Sequence, residues 1–220
     1  MAMSWKDVNW DVYRQITDRI RPLNLGNFGA RMARFVFRLL GWELEGSRPS
    51  VPKCVFVGAP HTSNWDLFWM FLTAMAFRLP VFFMMKHTLF RWPIRPLWRR
   101  VGGIPVDRTK HQGLVEQVSE VFSRKVSMYL VIAPEGTRKK AKHWKTGFYR
   151  IAERANVPVV AGYIDYARKK IGLGEPIYPS GDLEEDFKKI QAFFREKMGN
   201  YIPQLPPALP APNASSNGSM

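Results

Sequence analysis

The run Cys54-Val-Phe-Val-Gly-Ala59, followed at once by Pro60-His-Thr-Ser-Asn-Trp-Asp66, decides the fold. Its first six residues carry no charge and show no alternation. A strand of that kind is covered on both faces, as in a parallel sheet. An apolar stretch of 19 residues, Leu67 to Met85, comes next. It has the length of a membrane span, but it holds Arg78 and Pro80, and a central arginine is costly in lipid. The stretch reads instead as a helix to about Phe77, a turn at Arg78-Leu79-Pro80, and a second buried strand from Val81 to Met85.

The same rhythm continues outward. Apolar runs at 128–133 and 157–164 read as further strands, and Ile171 to Ile177 as another. Helical patterns fill the intervals at 65–77, 111–125 and 146–156, and Glu184 to about Met198 is amphipathic. Strands alternating with helices predict a single α/β domain, with a mostly parallel central sheet flanked by helices. Residues 46–201 are assigned to it. Residues 1–45 are read as N-terminal amphipathic, membrane-associating helices. Residues 202–220, with five prolines and then Asn, Ser and Gly, are read as a disordered tail.

Composition narrows the function. With 220 residues, 46% of them hydrophobic and 23% charged, the chain can bury a core without staples. One cysteine, Cys54, excludes a disulfide framework and a Cys-rich zinc site. Four scattered histidines supply no metal-ligand spacing. No secretory h-region appears in the first residues. The formal charge is +15, and the whole excess lies in the first 150 residues. So one-sided a field implies an anionic partner.

Two segments combine that charge with apolar surface. In residues 28–42, Phe28, Met32, Phe35, Val36, Leu39 and Leu40 follow helical spacing, while Arg31, Arg34 and Arg38 lie on another arc. The pattern fits a helix in a bilayer interface, and equally a surface helix packed on the core. In residues 89–103, Phe90, Trp92 and Trp98 alternate with Arg91, Arg95, Arg99 and Arg100. That mixture suits a lipid headgroup layer, single-stranded bases, or a solvated loop with anchoring aromatics.

Three clusters carry chemistry. His61 and Asp66 lie beyond the end of the first strand, where α/β sheets gather their functional groups. Inside a regular helix they would stand roughly 140° apart. They meet only if Ser63 caps the helix, Asp66 takes the third helical position and His61 folds back over the first turn. A carboxylate on one imidazole nitrogen would fix the tautomer and make the other more basic. Ser63-x-x-Asp66 is also a capping-box signal by itself. The second cluster is Gly102-Gly-Ile-Pro-Val-Asp-Arg108, whose glycines allow close backbone approach and whose Arg108 can grip a phosphate; a plain turn with a surface ion pair fits as well. The third is Pro134-Glu135-Gly136-Thr137-Arg138, with Lys145 and Gly147 after it; a solvated turn is its alternative.

In order and spacing, these clusters resemble the glycerolipid acyltransferase family that includes bacterial 1-acylglycerol-3-phosphate acyltransferases. His61-x4-Asp66 matches the first block of that family. Gly103-Ile-Pro-Val-Asp107-Arg108 matches the second, Pro134 to Arg138 the third in full, and Val157-Pro158-Val-Val-Ala161 the fourth. The resemblance covers about residues 50–180. This chain departs from the family at Pro105, Ala133 and Ala161, where Phe or another apolar residue, Phe, and Pro are usual.

The resemblance implies transfer of a fatty acyl group from acyl-CoA or an acyl-carrier protein to the hydroxyl of a lysophospholipid, above all 1-acylglycerol-3-phosphate, giving phosphatidic acid. It implies His61 as general base, Asp66 as its orienter, and Arg108, Glu135, Gly136, Thr137, Arg138 and Lys145 as the acceptor's binding residues. No cofactor or metal is implied. The partners would be membrane lipids and an anionic surface, with acyl-carrier protein as one possible donor and no nucleic acid. The enzyme would sit peripherally or monotopically on the cytoplasmic face of the membrane. Rival readings are O-acylation of another lyso-lipid, for example an amino-acid-containing one, and a basic nucleic-acid-binding domain. The latter leaves His61, Asp66 and the Pro-Glu-Gly turn unexplained.

Overall fold

A computed structural model describes residues 17–20, 22, 26–61, 63, 65–90, 93–106, 113–136, 143–199, 201 and 203–206. Of the N-terminal segment expected to be helical, residues 1–16, 21 and 23–25 lie outside them. In chain order the elements are α1 (Gly26–Leu39), β1 (Glu43–Glu45), β2 (Lys53–Ala59), α2 (Trp65–Ala76), β3 (Val81–Lys86), a 3-10 turn (His87–Leu89), α3 (Arg95–Arg100), β4 (Gly103–Val106), α4 (Leu114–Arg124), β5 (Met128–Ile132), α5 (Gly147–Ala155), β6 (Val159–Asp165), β7 (Lys170–Ile177) and α6 (Leu183–Met198).

The seven strands form one sheet in the order β1-β7-β6-β2-β5-β3-β4. Every neighbouring pair is parallel except β6 and β7, which form an antiparallel hairpin. β2 lies centrally between β5 and β6, and it is apolar without alternation because both of its faces are covered. Val55, Val57 and Ala59 join Val118 and Phe122 of α4, Phe148 and Ile151 of α5, and Phe187 and Phe194 of α6. Cys54 and Phe56 face the other way, with Ala74, Phe77 and Leu79 at the end of α2. The stretch from Leu67 to Met85 is thus helix, turn and strand. Among the described residues no helix is long and apolar enough to cross a membrane.

Two expected boundaries shift. β1 already belongs to the sheet through β7, so the α/β body begins at Glu43 rather than at residue 46. At the other end, residues 203–206 are part of the body rather than of a loose tail. Trp144 N–H donates to Gln204 O at 2.8 Å and Gln191 Nε2 to Pro203 O at 2.8 Å, while Leu205 packs on the core. Prolines cannot extend a sheet, but their carbonyls still accept hydrogen bonds.

α1 packs in an unexpected sense. Its small residues Gly29, Ala30 and Ala33, with Phe37, are buried, and Ala33 and Phe37 meet Trp69 and Leu72 of α2. Phe28, Met32, Phe35 and Leu39 point outward, with Phe28 72% and Leu39 71% exposed. Small residues let the two helices approach closely, so the large apolar side chains form the outer face. Arg34 is drawn off the basic arc, donating to the Ala76 carbonyl at the end of α2.

The glycines of the second cluster serve the sheet. Gly102 has φ +91°, and a Cβ there would lie 2.2 Å from the Val81 carbonyl oxygen; at Gly103 it would meet Met85 Sδ at 2.9 Å. They let β4 close on β3, and the cluster's first half is a buried strand rather than a ligand-facing turn. Pro105 is tolerated there because β4 is an edge strand. Ala161 is buried in β6 beside Val57, so that departure is a matter of sheet packing.

Candidate active site

The site lies at the carboxyl ends of three adjacent strands. His61 follows β2, Pro134 to Gly136 follow β5, and Tyr166 follows β6. Neighbouring parallel strands bring their ends together, so residues far apart in sequence converge there.

Asp66 stands in the first turn of α2. Its Oδ2 accepts the Ser63 N–H at 2.8 Å, as in a capping box, while Ser63 Oγ caps the helix by accepting the Trp65 N–H at 3.1 Å. The same Oδ2 lies 2.9 Å from His61 Nδ1. The cap and the His–Asp contact, alternatives in the sequence, are one arrangement: the bend that lets Ser63 cap α2 also folds His61 onto Asp66. Asp66 Oδ1 accepts the Tyr166 hydroxyl at 2.6 Å. The Asp66 side chain is 7% exposed and that of His61 33%. With Asp66 ionised and the imidazole neutral, the contact places the ring proton on Nδ1 and leaves a lone pair on Nε2. Chemically, this is a histidine with an oriented ring on the partly open side of a buried carboxylate, an arrangement able to take up a proton at Nε2.

Glu135 is a second buried carboxylate. Its Oε2 accepts the backbone N–H of His61 at 3.1 Å, and its Oε1 accepts the Tyr201 hydroxyl. The Tyr201 oxygen in turn accepts from Trp144 Nε1 at 3.3 Å. The described contacts of Glu135 thus tie the turn after β5 to the His61 loop and to the C-terminal segment. Burial raises the pKa of both tyrosines above the usual phenol range, and their bonds to Asp66 and Glu135 add to the shift.

Lys145 reaches the same turn. Its N–H donates to Pro134 O at 2.8 Å, and its side chain crosses Gly136, where an added Cβ would lie 3.0 Å from Lys145 Cε. Gly136 adopts φ +66°, a conformation that favours glycine. His61, Asp66, Glu135, Gly136 and Lys145 are therefore brought into one linked neighbourhood. Arg108, Thr137 and Arg138 lie outside the described residues. Cys54 is fully buried, and desolvation pushes its thiol up, which removes it as a nucleophile. Tyr166, Tyr201 and Trp144 had no signal in the sequence, since no spacing rule links them to His61.

The acyltransferase family model matches residues 44–165, more than half of the chain. Comparison with curated proteins gives no match. Among solved structures, the chain is similar to the 1-acyl-sn-glycerophosphate acyltransferase PlsC of Thermotoga maritima, with a TM-score of 0.54 and 19% identity over 89% of this chain and 84% of that one. That likeness is one of fold, and it extends beyond the matched family segment at both ends. The family match spans β1 to β6 and includes both buried carboxylates and His61, so the chain belongs to the acyltransferase family.

Proposed function

We propose that this acyltransferase moves a fatty acyl group from a thioester, acyl-CoA or acyl-carrier protein, to the hydroxyl of a lysophospholipid, and that the acceptor is 1-acylglycerol-3-phosphate. The observation that carries the reading is the 2.9 Å contact between His61 Nδ1 and Asp66 Oδ2 at the strand ends. His61 Nε2 takes the proton of the acceptor hydroxyl as its oxygen attacks the thioester carbonyl carbon. Asp66 holds the ring and stabilises the imidazolium. Collapse of the tetrahedral intermediate breaks the C–S bond, and the departing thiolate takes the proton back from Nε2. An ester and a free thiol result, with no covalent enzyme intermediate.

Lys145, with Arg108, Thr137 and Arg138, supplies the cations and donors for the acceptor phosphate. Glu135 places His61 through its backbone and does not touch the phosphate. The outward Phe28, Phe35 and Leu39 of α1, with exposed Trp65 and Phe68 at the start of α2, support docking on a membrane surface close to His61. The basic excess of the first 150 residues favours an anionic leaflet on the cytoplasmic face.

The test is acyl transfer in vesicles containing lysophosphatidic acid or another lyso-lipid, with acyl-CoA and acyl-carrier protein donors supplied in turn. Transfer to lysophosphatidic acid is expected. Transfer confined to a different lyso-lipid would replace the acceptor and keep the reaction.

A further inference from the structure

We propose that Tyr166 is a positioning residue for His61, acting through Asp66 as the third member of a Tyr–Asp–His chain; this rests on the function proposed above. Tyr166 lies one residue past the segment the family model matches and in none of the four motif blocks. It begins the turn of the β6–β7 hairpin, the antiparallel departure from an otherwise parallel pairing pattern. Its hydroxyl donates to Asp66 Oδ1 at 2.6 Å, while Oδ2 faces His61 at 2.9 Å. One oxygen is held so that the other is aimed.

The ring itself is fixed. Trp42 meets it edge-on at 5.5 Å, and Trp42 packs on Trp69 at 3.9 Å. Trp69 lies one turn after Asp66 on the same side of α2. The contacts close a loop, Asp66–Tyr166–Trp42–Trp69 and back along α2. A half-exposed tyrosine is thereby pinned with its hydroxyl on a buried carboxylate. Trp42 stands three residues after α1, so the seating of that helix bears on the orientation of Asp66.

The hydroxyl also sets how strongly Asp66 holds a proton on His61. Donation from Tyr166 spreads the carboxylate's charge. Without it, Asp66 stabilises the imidazolium more, and His61 gives up its proton at higher pH. The ionisable groups linked to His61 come from separate elements: Asp66 from α2, Tyr166 behind it from the hairpin, Glu135 from the turn after β5, Tyr201 behind that from the C-terminal segment, and Lys145 across Gly136. Tyr166→Phe keeps the ring and removes the hydroxyl donor to Asp66 Oδ1, leaving the Ser63 N–H bond to Oδ2 in place.

The experiment is an NMR titration of the His61 ring in the full chain, assigned with His61→Ala, for wild type and Tyr166→Phe, beside acyl transfer from both donors across pH. The expected result is an upward move of the His61 titration by roughly half a unit to one unit. The acidic limb of kcat/KM should move with it, with kcat at neutral pH lower by roughly 5- to 20-fold and acceptor KM little changed. A folded Tyr166→Phe protein whose His61 titrates as in wild type would overturn the proposal and reduce Tyr166 to a packing contact. A His61 titration shifted in Tyr166→Phe, together with a wild type that transfers no acyl group, would overturn the function proposed above and leave the Tyr166–Asp66–His61 linkage standing.

Discussion

Asp66 and Glu135 are both buried carboxylates, each accepts a tyrosine hydroxyl, and each holds His61. They hold different parts of it. Asp66 touches the ring at Nδ1, whereas Glu135 takes the backbone N–H. One bond orients the imidazole ring, and the other sets where its main chain lies. The same chemistry thus serves two ends, and substitutions on the two sides should separate. On the Asp66 side rate and pH dependence should change. On the Glu135 side stability should change first, and rate only through misplacement.

The largest effect is expected at Asp66→Asn. The amide can present N–H to Nδ1 and force the wrong tautomer, so kcat should fall by about 10³- to 10⁴-fold, as in triads that lose the orienting carboxylate. Steady-state kinetics on folded protein check this. Next comes Glu135→Ala, which strands the His61 N–H and the Tyr201 hydroxyl in a partly buried place. Thermal or urea unfolding should show a loss of about 2–4 kcal/mol. Should Glu135→Ala instead leave stability intact and raise only the acceptor KM, Glu135 would be a substrate contact and the contrast between the two carboxylates would collapse.

The smallest effect is expected at Tyr201→Phe, where Glu135 keeps its bond to His61. Stability should drop by about 1 kcal/mol, with the acidic limb of the pH–rate profile unmoved. That limb is the sharpest discriminator, since Tyr166→Phe should move it and Tyr201→Phe should not.

The sheet was legible in the sequence because its central strands are apolar without alternation. Cys54 to Ala59 and Met128 to Ile132 could be nothing that faces water, and Arg78 with Pro80 divided a span-length run into helix and strand. For His61 and Asp66 the spacing left two readings, a contact between them or a capping box alone, and the structure holds both bonds. Short-range signals did less well where long-range packing decided the outcome. Spacing showed that α1 is amphipathic but not that Ala30 and Ala33 face the protein while Phe28 and Phe35 face away. Gly102 and Gly103 look alike in sequence whether they approach a ligand or a strand, and only the pairing of β4 with β3 assigns them to the strand. Tyr166 and Tyr201 are distant from His61 in sequence and carry no local pattern. Their bonds to the two carboxylates exist because strand order gathers those chain ends.

In the proposed reaction His61, aimed by Asp66, is the base of an acyl transfer. The most direct test is transfer of a labelled acyl group to lysophosphatidic acid in vesicles by wild type and His61→Ala, each confirmed as folded by the same thermal melt. Transfer by the wild type with loss of essentially all activity in His61→Ala is the predicted result. Equal transfer by the two proteins would exclude His61 as the base.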